Sequence, residues 1–290
     1  MILVTGGAGQ VATELAARAP DQVVRVGRPA FDFDRPDTIA ETFRAARPTL
    51  VVNAAAWTAV DAAEANADAA MRANRDGPAE LARLCAEAGI PLIHISTDYV
   101  FDGLKGEPYT EDDATSPTGV YGATKLAGEQ AVFAAWEQVV VLRTSWVYAA
   151  AGKNFVRTML GAALKTDTLR VVSDQRGCPT NAGDLADAIL AIAPQLTAGW
   201  QPRYAGVFNA AGTGETTWHG LAVAAFEEAA QHGRRMPIVN AIKTADWPTP
   251  AARPPDSRLD CAKMERIFGV RLPQWRPSLR HTVAAIVAGS

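Results

Sequence analysis

Short apolar runs alternate with longer Ala-, Glu- and Arg-rich stretches of helical period along the first half of the chain. The runs are nearly continuous in aliphatic residues, as strands covered on both faces of a parallel sheet must be. They predict strands over residues 2–5, 23–26, 50–54, 91–96 and 139–143. The stretches between them predict helices over residues 10–19, 35–46, 63–88 and 120–136. Such alternation is typical of βαβ units, so we expect an α/β fold with a doubly wound parallel sheet.

The pattern changes beyond Trp146 and predicts a second, smaller lobe. A helix over residues 155–165 and a strand over 169–173 precede a turn-rich segment. A further strand over 207–209 and a helix over about 218–230 predict that the chain returns to the first domain and leaves it again. We therefore expect a first domain from residues 1–148 plus roughly 181–235. A discontinuous C-terminal substrate lobe would comprise roughly residues 149–180 and 236–290.

The composition is that of an ordinary globular protein, with 48% hydrophobic and 20% charged residues. Lys plus Arg number 28 against 31 Asp plus Glu, so no basic surplus is present to neutralise phosphate backbones, and nucleic-acid binding is disfavoured. No apolar run approaches the ~18 residues of a membrane helix, and Met1 leads into the first strand without a cationic leader. We expect an untargeted, soluble, cytoplasmic protein with no membrane partner.

The cysteines and histidines predict neither a disulfide framework nor a metal site. Cys85, Cys178 and Cys261 are odd in number and far apart, as suits a reducing compartment. None of the four histidines has a second ligand at metal-binding spacing, so we expect no catalytic metal. His94 lies inside a predicted strand and is expected to be a core or edge residue.

A glycine-rich turn follows the first predicted strand and opens the first predicted helix. It reads Gly6-Gly7-Ala8-Gly9-Gln10-Val11-Ala12. Glycine at positions 6 and 9 lets the backbone approach a diphosphate, whose charge is met by the free amides of the helix start, at Gln10 and Val11. Ala12 replaces the third glycine of the usual fingerprint, where a small side chain is sufficient. The order of strand, turn and helix predicts a Rossmann-type dinucleotide site that includes Gly6 and Gly9, with a purely structural turn as the alternative.

Three further segments are candidates for cofactor contacts. Arg28 follows the second strand, where a guanidinium can hold a 2′-phosphate, and it predicts NADPH rather than NADH; a solvated surface arginine is the alternative. Asp32 and Phe33 fit either a cap of the next helix or contacts to adenine. The small side chains of Ala54-Ala55-Ala56 leave room for a ligand along the sheet edge, or else allow tight helix packing.

Tyr121 and Lys125 are four residues apart in a predicted helix, so their side chains share a face. A cation close to a phenol stabilises the phenolate, and we expect it to lower the pKa of Tyr121 from about 10 toward working pH. Thr97 ends a central strand, at the edge where ligands collect in open α/β sheets, and could bind the reacting oxygen. Together these residues predict acid–base catalysis beside the dinucleotide, with a surface tyrosine and lysine as the alternative.

These motifs together resemble those of the extended short-chain dehydrogenase/reductases, over almost the whole chain. The matching stretches are residues 6–12, 51–56, 96–101, 120–129, 143–148, 154–155, 174–180, 253–254 and 257–259. The resemblance is strongest to members that act on dTDP-sugars. It implies NADPH-dependent reduction of the C4 keto group of dTDP-4-dehydro-L-rhamnose, the last step of dTDP-L-rhamnose synthesis, with NADH as a possible cofactor.

The resemblance also implies roles for individual residues. Tyr121 would protonate the carbonyl oxygen while hydride passes from the nicotinamide to C4. Lys125 would also hold the nicotinamide ribose, and Thr97 would tune the tyrosine. Thr97, Asp98 and Trp146 match sugar contacts, and Asn154 lies in a matching stretch and is expected at the substrate. Homodimers are common in the superfamily, so the resemblance also implies a homodimer.

Two alternatives remain open at this point. Sugar-nucleotide dehydratases place an Asp-Glu pair after the threonine, whereas here Asp98 is followed by Tyr99, which favours simple carbonyl reduction. Another extended enzyme acting on a nucleotide sugar is still compatible with the motifs. The regulatory β subunit of methionine adenosyltransferase, which binds a partner and is not an enzyme, resembles the same family.

The diphosphate of such a substrate requires local positive charge. Arg253 and Arg258 lie in the predicted loops of the second lobe and are the candidates, although each arginine could equally be a solvated surface charge.

Overall fold

The computed structural model describes residues 1–289. Their strands, in chain order, are β1 (Ile2–Thr5), β2 (Val23–Arg25), β3 (Leu50–Asn53), β4 (Leu92–Thr97), β5 (Val139–Thr144), β6 (Val147–Tyr148), β7 (Thr168–Val172), β8 (Arg176–Gly177), β9 (Thr180–Asn181), β10 (Gly206–Asn209), β11 (Thr216–Thr217) and β12 (Ile238–Ile242). The helices are α1 (Gln10–Arg18), α2 (Pro36–Ala46), α3 (Val60–Glu64), α4 (Ala67–Met71), α5 (Gly77–Ala88), α6 (Val120–Ala135), α7 (Phe155–Ala163), α8 (Ala182–Thr197), α9 (Trp218–Ala230), α10 (Ala262–Phe268) and α11 (Trp275–Ala288).

The central sheet is parallel, in the order β10-β5-β4-β3-β1-β2. β1, β3 and β5 are buried at every residue because helices cover both faces of the sheet. Residues of α1 and α8 share an apolar core with one face, and residues of α2, α5 and α6 share a core with the other. The expected doubly wound α/β fold is therefore confirmed, and the predicted strands agree with β1 to β5 to within one residue at each end.

The helix predicted over residues 63–88 is wrong as a single regular helix. α3 ends before Asn66, and a π-helical turn, Arg72–Asp76, joins α4 to α5. Pro78 has no N–H to donate to the preceding turn, which explains why the regular hydrogen-bond pattern stops short of it. Gly77 packs so tightly on Phe33 that an added Cβ would lie 2.2 Å from the ring.

The second lobe is assembled from segments far apart in sequence. β7 pairs with β12 and β6 pairs with β9, while α7, α9 and α11 share one apolar cluster. α9 comes from the segment expected in the first domain, but it shares this cluster with helices from the segments expected in the lobe. The division into two domains stays a prediction. α10 packs into the sheet core through Met264 and Phe268, although we expected it in the lobe. An amphipathic pattern shows that a helix buries one face, and tertiary structure decides which surface covers that face.

The carboxyl ends of the central strands bring the motif residues to one edge of the sheet. Gly6 follows β1, Ala54 follows β3, Thr97 ends β4 and Ser145 follows β5. This is the edge at which ligands bind in open α/β sheets. Within residues 1–289, the helices all fall short of the length and apolarity that a bilayer span requires.

Candidate active site

The glycine turn has the backbone geometry that a dinucleotide requires. Gly6 and Gly7 adopt φ of +104° and +50°, which favour glycine. A Cβ on Gly6 would lie 2.7 Å from the carbonyl oxygen of Ala54, so the turn and the Ala54-Ala55-Ala56 segment are in contact. Gly9 begins α1 without a side-chain cap, which leaves the first amides of the helix to an anion. The turn therefore fits a diphosphate.

Arg28 is exposed, with 67% of its side chain accessible, and pairs with two carboxylates. Its Nε lies 2.9 Å from Asp32 Oδ1, and its Nη2 lies 2.8 Å from Asp34 Oδ2. Asp32 does not cap α2, since the residue before that helix makes no side-chain cap. Phe33 packs edge-on against Phe31. The capping alternative for Asp32 is therefore not observed, and the adenine alternative stays a prediction.

Asn74, which was not selected in the sequence analysis, fixes the loop after β3. Its amide oxygen accepts from the Trp57 N–H at 2.8 Å, and its amide nitrogen donates to the Trp57 carbonyl at 3.2 Å and to Thr124 Oγ1 at 3.0 Å. The fully buried Asn74 thereby joins the loop that follows the Ala54-Ala55-Ala56 segment to α6, the helix of Tyr121.

Thr97 and Tyr121 meet at the carboxyl edge of the sheet. The Thr97 hydroxyl donates to Asp98 Oδ1 at 3.0 Å, accepts from the Tyr99 N–H at 3.2 Å and is hydrogen-bonded to the Tyr121 phenol. A Cβ on Gly122 would lie 2.1 Å from the Tyr99 carbonyl oxygen, so the glycine allows α6 to approach the turn after β4. The structure thus brings Thr97 and Tyr121 into contact, and the role of this contact in catalysis stays a prediction.

The pKa of Tyr121 is raised, whereas we expected Lys125 to lower it. Burial raises the pKa of Tyr121 to about 12, so the phenol is protonated at neutral pH. The Lys125 ammonium donates to the Ile95 carbonyl at 2.7 Å and lies 3.4 Å from His94 Nε2. Its burial lowers the pKa of Lys125 to about 8. Lys125 is held by β4, and desolvation of the phenol outweighs any stabilisation of its anion.

Asp98 is buried, with 2% of the residue exposed. Burial raises the pKa of this carboxyl to about 6, partly offset by the hydroxyls of Ser257, Thr97 and Ser145. Its hydrogen bond to Thr97 means that Asp98 acts on the site through Thr97. The expected direct contact between Asp98 and the sugar stays a prediction.

Trp146 follows β5 in a left-handed conformation, with φ of +47°. Its indole stacks on Trp218 at 3.6 Å between ring centroids and an interplanar angle of 9°. A Cβ on Gly177 would lie 2.4 Å from the same indole, so only glycine fits beside it. One indole face is therefore covered by Trp218, and the expected contact between Trp146 and the sugar stays a prediction.

Asn154 is engaged by the protein itself. Its Oδ1 accepts from the Arg157 N–H at 3.0 Å and so caps α7, while its Nδ2 donates to Gln10 Oε1 and to the Ala149 carbonyl, both at 2.9 Å. Asn154 therefore links the start of α7 to the start of α1 at the glycine turn, and the expected contact between Asn154 and the substrate stays a prediction.

The two candidate arginines differ in their surroundings. Arg258 is buried and donates to Asp256, to Glu215 and to the Gly106 carbonyl, so its guanidinium is not available as a phosphate clamp. Arg253 pairs with Asp61 at 2.9 Å and also faces the Tyr99 hydroxyl.

Tyr99 and Tyr121 pack edge to face, with 5.4 Å between ring centroids. Arg253 is therefore separated from the Tyr121 phenol by the Tyr99 side chain.

A buried ion pair between Glu129 of α6 and Arg143 of β5 joins this helix to the central sheet and was not predicted. Glu129 accepts from Arg143 at 3.0 and 2.7 Å and from the Ser96 hydroxyl at 2.5 Å.

Within residues 1–289, the His, Cys, Asp and Glu side chains form no cluster of three that could hold a metal ion.

A family model described as the RmlD substrate binding domain matches residues 1–288. The chain belongs to this family. A dTDP-4-dehydrorhamnose reductase of Sinorhizobium fredii is 46% identical over 288 residues, which cover 99% of this chain and 97% of that relative. The structure of a dTDP-4-dehydrorhamnose reductase from Clostridium acetobutylicum has a TM-score of 0.91 at 34% identity and 99% coverage of both chains. The corresponding Bacillus anthracis structure, in complex with NADP, has a TM-score of 0.88 at 30% identity and 98% coverage of both chains.

Membership of this family confirms the predicted class of protein, an oxidoreductase of the extended short-chain dehydrogenase/reductase type. The expected nicotinamide dinucleotide cofactor is supported as well, since the Bacillus anthracis relative is in complex with NADP.

Proposed function

We propose that this chain reduces the C4 keto group of dTDP-4-dehydro-L-rhamnose to dTDP-L-rhamnose with NADPH. The names of its relatives support the substrate. The observation that carries the chemistry is the Tyr121 phenol, protonated at neutral pH and hydrogen-bonded to Thr97 at the ligand edge of the sheet. A protonated acid at this position suits carbonyl reduction, which must place a proton on the product oxygen.

NADPH, when bound, would supply the hydride to C4 of the sugar. The residues of the chain supply binding, orientation and the proton. The turn with Gly6, Gly9, Gln10 and Val11 binds the diphosphate, and the Ala54-Ala55-Ala56 segment borders the dinucleotide.

The remaining cofactor contacts belong to the same proposal. Asp32 and Phe33 lie toward adenine, Arg28 holds the 2′-phosphate, and Lys125 holds the nicotinamide ribose. Arg28 would exchange its carboxylate partners for the phosphate, which a flexible, exposed side chain can do.

Tyr121 donates its proton to the carbonyl oxygen as negative charge develops there, while Thr97 holds the phenol in position. Trp146 and Arg253 border the sugar directly, while Asp98 acts through Thr97 and Asn154 through the lobe. The proposed substrate and cofactor are soluble nucleotides, which agrees with the expected cytoplasmic location. A homodimer stays a prediction.

The decisive assay follows NADPH oxidation with and without dTDP-4-dehydrorhamnose. We expect oxidation only with the sugar, and Tyr121→Phe to lower kcat by about 10²- to 10⁴-fold while NADPH binding, measured by fluorescence, is retained. No turnover by the wild-type chain, together with binding to a methionine adenosyltransferase, would favour the regulatory alternative. Turnover with a different nucleotide sugar would replace the substrate and keep the chemistry.

Replacing Arg28 tests the cofactor preference. In Arg28→Ala the ratio of kcat/KM for NADPH over that for NADH should fall by about tenfold or more, because a charge-assisted contact to the 2′-phosphate is lost. Arg35→Ala, at an exposed position just before α2, is the matched control and should leave the ratio unchanged. An unchanged ratio in Arg28→Ala contradicts the assignment.

A further inference from the structure

A line of buried polar side chains runs beneath the ligand edge of the sheet and ends at the Lys125 nitrogen. The Thr5 hydroxyl lies 2.6 Å from Asn53 Oδ1, and Asn53 Nδ2 lies 2.9 Å from His94 Nδ1. On the other side of the ring, His94 Nε2 lies 3.4 Å from Lys125 Nζ. Each of the four residues has at most 2% of its surface exposed. The fold, rather than solvent, therefore decides how these groups share their protons.

The backbone sets the orientation of the Asn53 amide. The Ala55 N–H lies 3.3 Å from Asn53 Oδ1 and 3.2 Å from the Thr5 hydroxyl oxygen. A backbone N–H can only donate, so it requires the amide oxygen on its own side. The amide nitrogen of Asn53 must then face His94.

The orientation of Asn53 decides which nitrogen of His94 carries the proton. An amide NH₂ can only donate, so His94 Nδ1 must present a lone pair, and the ring proton lies on Nε2. We propose that His94 is a positioning residue for Lys125, locked by Asn53 in the tautomer that directs a ring N–H, rather than a lone pair, at the Lys125 nitrogen.

This tautomer disfavours the charged form of Lys125. An ammonium group has three donors and no lone pair. One donor is satisfied by the Ile95 carbonyl at 2.7 Å, but the His94 side of the group meets a second donor. A neutral amine has a lone pair that can accept the ring proton. Burial acts in the same direction on both groups, lowering the pKa of Lys125 to about 8 and holding the pKa of His94 well below its usual value.

The charged groups on the packed elements do not reverse this preference. Glu129, one turn further along α6, raises the pKa of Lys125, but its carboxylate is already paired with Arg143 of β5. The π-helical turn against α6 presents the neutral Asn74. Toward the site, α6 carries the Tyr121 phenol, which is uncharged at neutral pH.

This inference about His94 and Lys125 extends the proposed function. Only the expected effect of Lys125 on catalysis rests on the proposed function. A Lys125 that exchanges its proton near working pH changes charge within the range in which the enzyme operates. Its field at Tyr121 and its hold on the nicotinamide ribose change with it.

The tautomer can be measured without any turnover, by NMR of ¹⁵N-histidine-labelled protein. The protonated and unprotonated ring nitrogens differ strongly in chemical shift, and His94→Gln assigns the His94 signals. We expect His94 to carry its proton on Nε2 and not to titrate between about pH 5 and pH 9. A proton on Nδ1, or titration near the ordinary histidine pKa, overturns the proposal even if the substrate assignment is correct.

The effect on Lys125 can be measured by the pH dependence of its ¹³Cε shift, assigned with Lys125→Arg. In His94→Gln the amide oxygen can accept from the ammonium, so the Lys125 midpoint should rise by about one pH unit or more. Asn53→Asp should move the His94 proton to Nδ1 and raise the same midpoint. His232→Gln, at an exposed position, is the matched control and should leave the midpoint unchanged.

Kinetics then connect the two measurements. If the proposed function holds, the alkaline limb of the kcat profile should move with the Lys125 midpoint in His94→Gln. An unchanged Lys125 midpoint in a folded His94→Gln protein would show that His94 is a core residue that does not position Lys125. A wild-type chain that turns over no dTDP-keto sugar refutes the proposed function, and the NMR results still decide the role of His94.

Discussion

The carboxyl group of Asp98 is the clearest case of a residue placed at a cost to stability. Its pKa is raised to about 6 in the folded chain, against 3.8 for the ordinary carboxyl. Between these values the folded state keeps a proton that the unfolded state has lost. Stability therefore falls as pH rises from about 4 to 6, and at neutral pH the buried charge costs roughly 2–3 kcal/mol.

Asp98→Asn should recover this free energy. We expect its free energy of unfolding at pH 7 to exceed that of the wild type by about 2–3 kcal/mol, and the difference to vanish near pH 4. Urea denaturation at several pH values measures both. Activity should fall, because Thr97 loses its carboxylate acceptor. Asp21→Asn, in an exposed turn, should follow the wild-type pH dependence, and parallel curves for Asp98→Asn would contradict the assignment.

Residue identities in the catalytic motif were predictable from spacing, whereas their electrostatics were not. Tyr121 and Thr97 were selected because a helix repeat and a strand end place them at one edge, and the structure brings them together. The pKa of Tyr121 depends on desolvation by surrounding side chains, which no local pattern encodes. The same holds for Arg258, whose acidic partners include Glu215, 43 positions away in the sequence.

At the scale of elements, α6 is positioned by two glycines on its packed face. A Cβ on Gly128 would lie 2.0 Å from the Asn74 carbonyl oxygen, just as one on Gly122 would meet the Tyr99 carbonyl. The helix that carries Tyr121 and Lys125 can therefore approach its neighbours only because both positions lack a side chain.

Gly128→Ala should destabilise the chain by about 1–3 kcal/mol and lower kcat, since α6 must move away from the π-helical turn. Gly161→Ala in α7 is the matched control, because an added Cβ there meets nothing within 4 Å. It should raise stability by about 0.5–1 kcal/mol without affecting kcat. Thermal unfolding and steady-state assays test both, and equal effects of the two variants would show that packing against Asn74 does not position α6.

Strands were easier to predict than the grouping of helices. β1 to β5 coincide with short runs rich in aliphatic residues, and these runs indicate the burial of β1, β3 and β5 on both faces of the sheet. α9 and α10 show apolar faces in the sequence too, but the partners of those faces lie elsewhere in the chain. The π-helical turn before Pro78 was also beyond prediction, because several hydrogen-bond patterns can accommodate a proline near a helix start.

At the scale of the whole molecule, the lobe is joined to the cofactor turn through the Asn154–Gln10 hydrogen bond. Asn154 also caps α7, so the effect of losing a cap has to be measured separately at another helix of the lobe. Thr217 caps α9 in the same way, accepting from the Gly220 N–H at 3.0 Å, but among the described residues its side chain is not hydrogen-bonded to the glycine turn.

Asn154→Ala and Thr217→Ala should each lower stability by about 1 kcal/mol through the lost cap. Only Asn154→Ala should also weaken NADPH binding, because Gln10 Oε1 loses its hydrogen-bond donor and the turn is less well ordered. Calorimetric titration with NADPH distinguishes them. Equal NADPH affinity in the two variants would mean that the lobe does not support the turn.

The sheet order has a consequence for synthesis of the chain. The glycine turn, Thr97, Tyr121 and Lys125 all leave the ribosome before residue 126, whereas β10, which covers the outer side of β5, follows some eighty residues later. During that interval the nascent chain presents an apolar, unpaired edge at β5. Until Asn209 has emerged, aggregation or chaperone capture at β5 competes with completion of the fold.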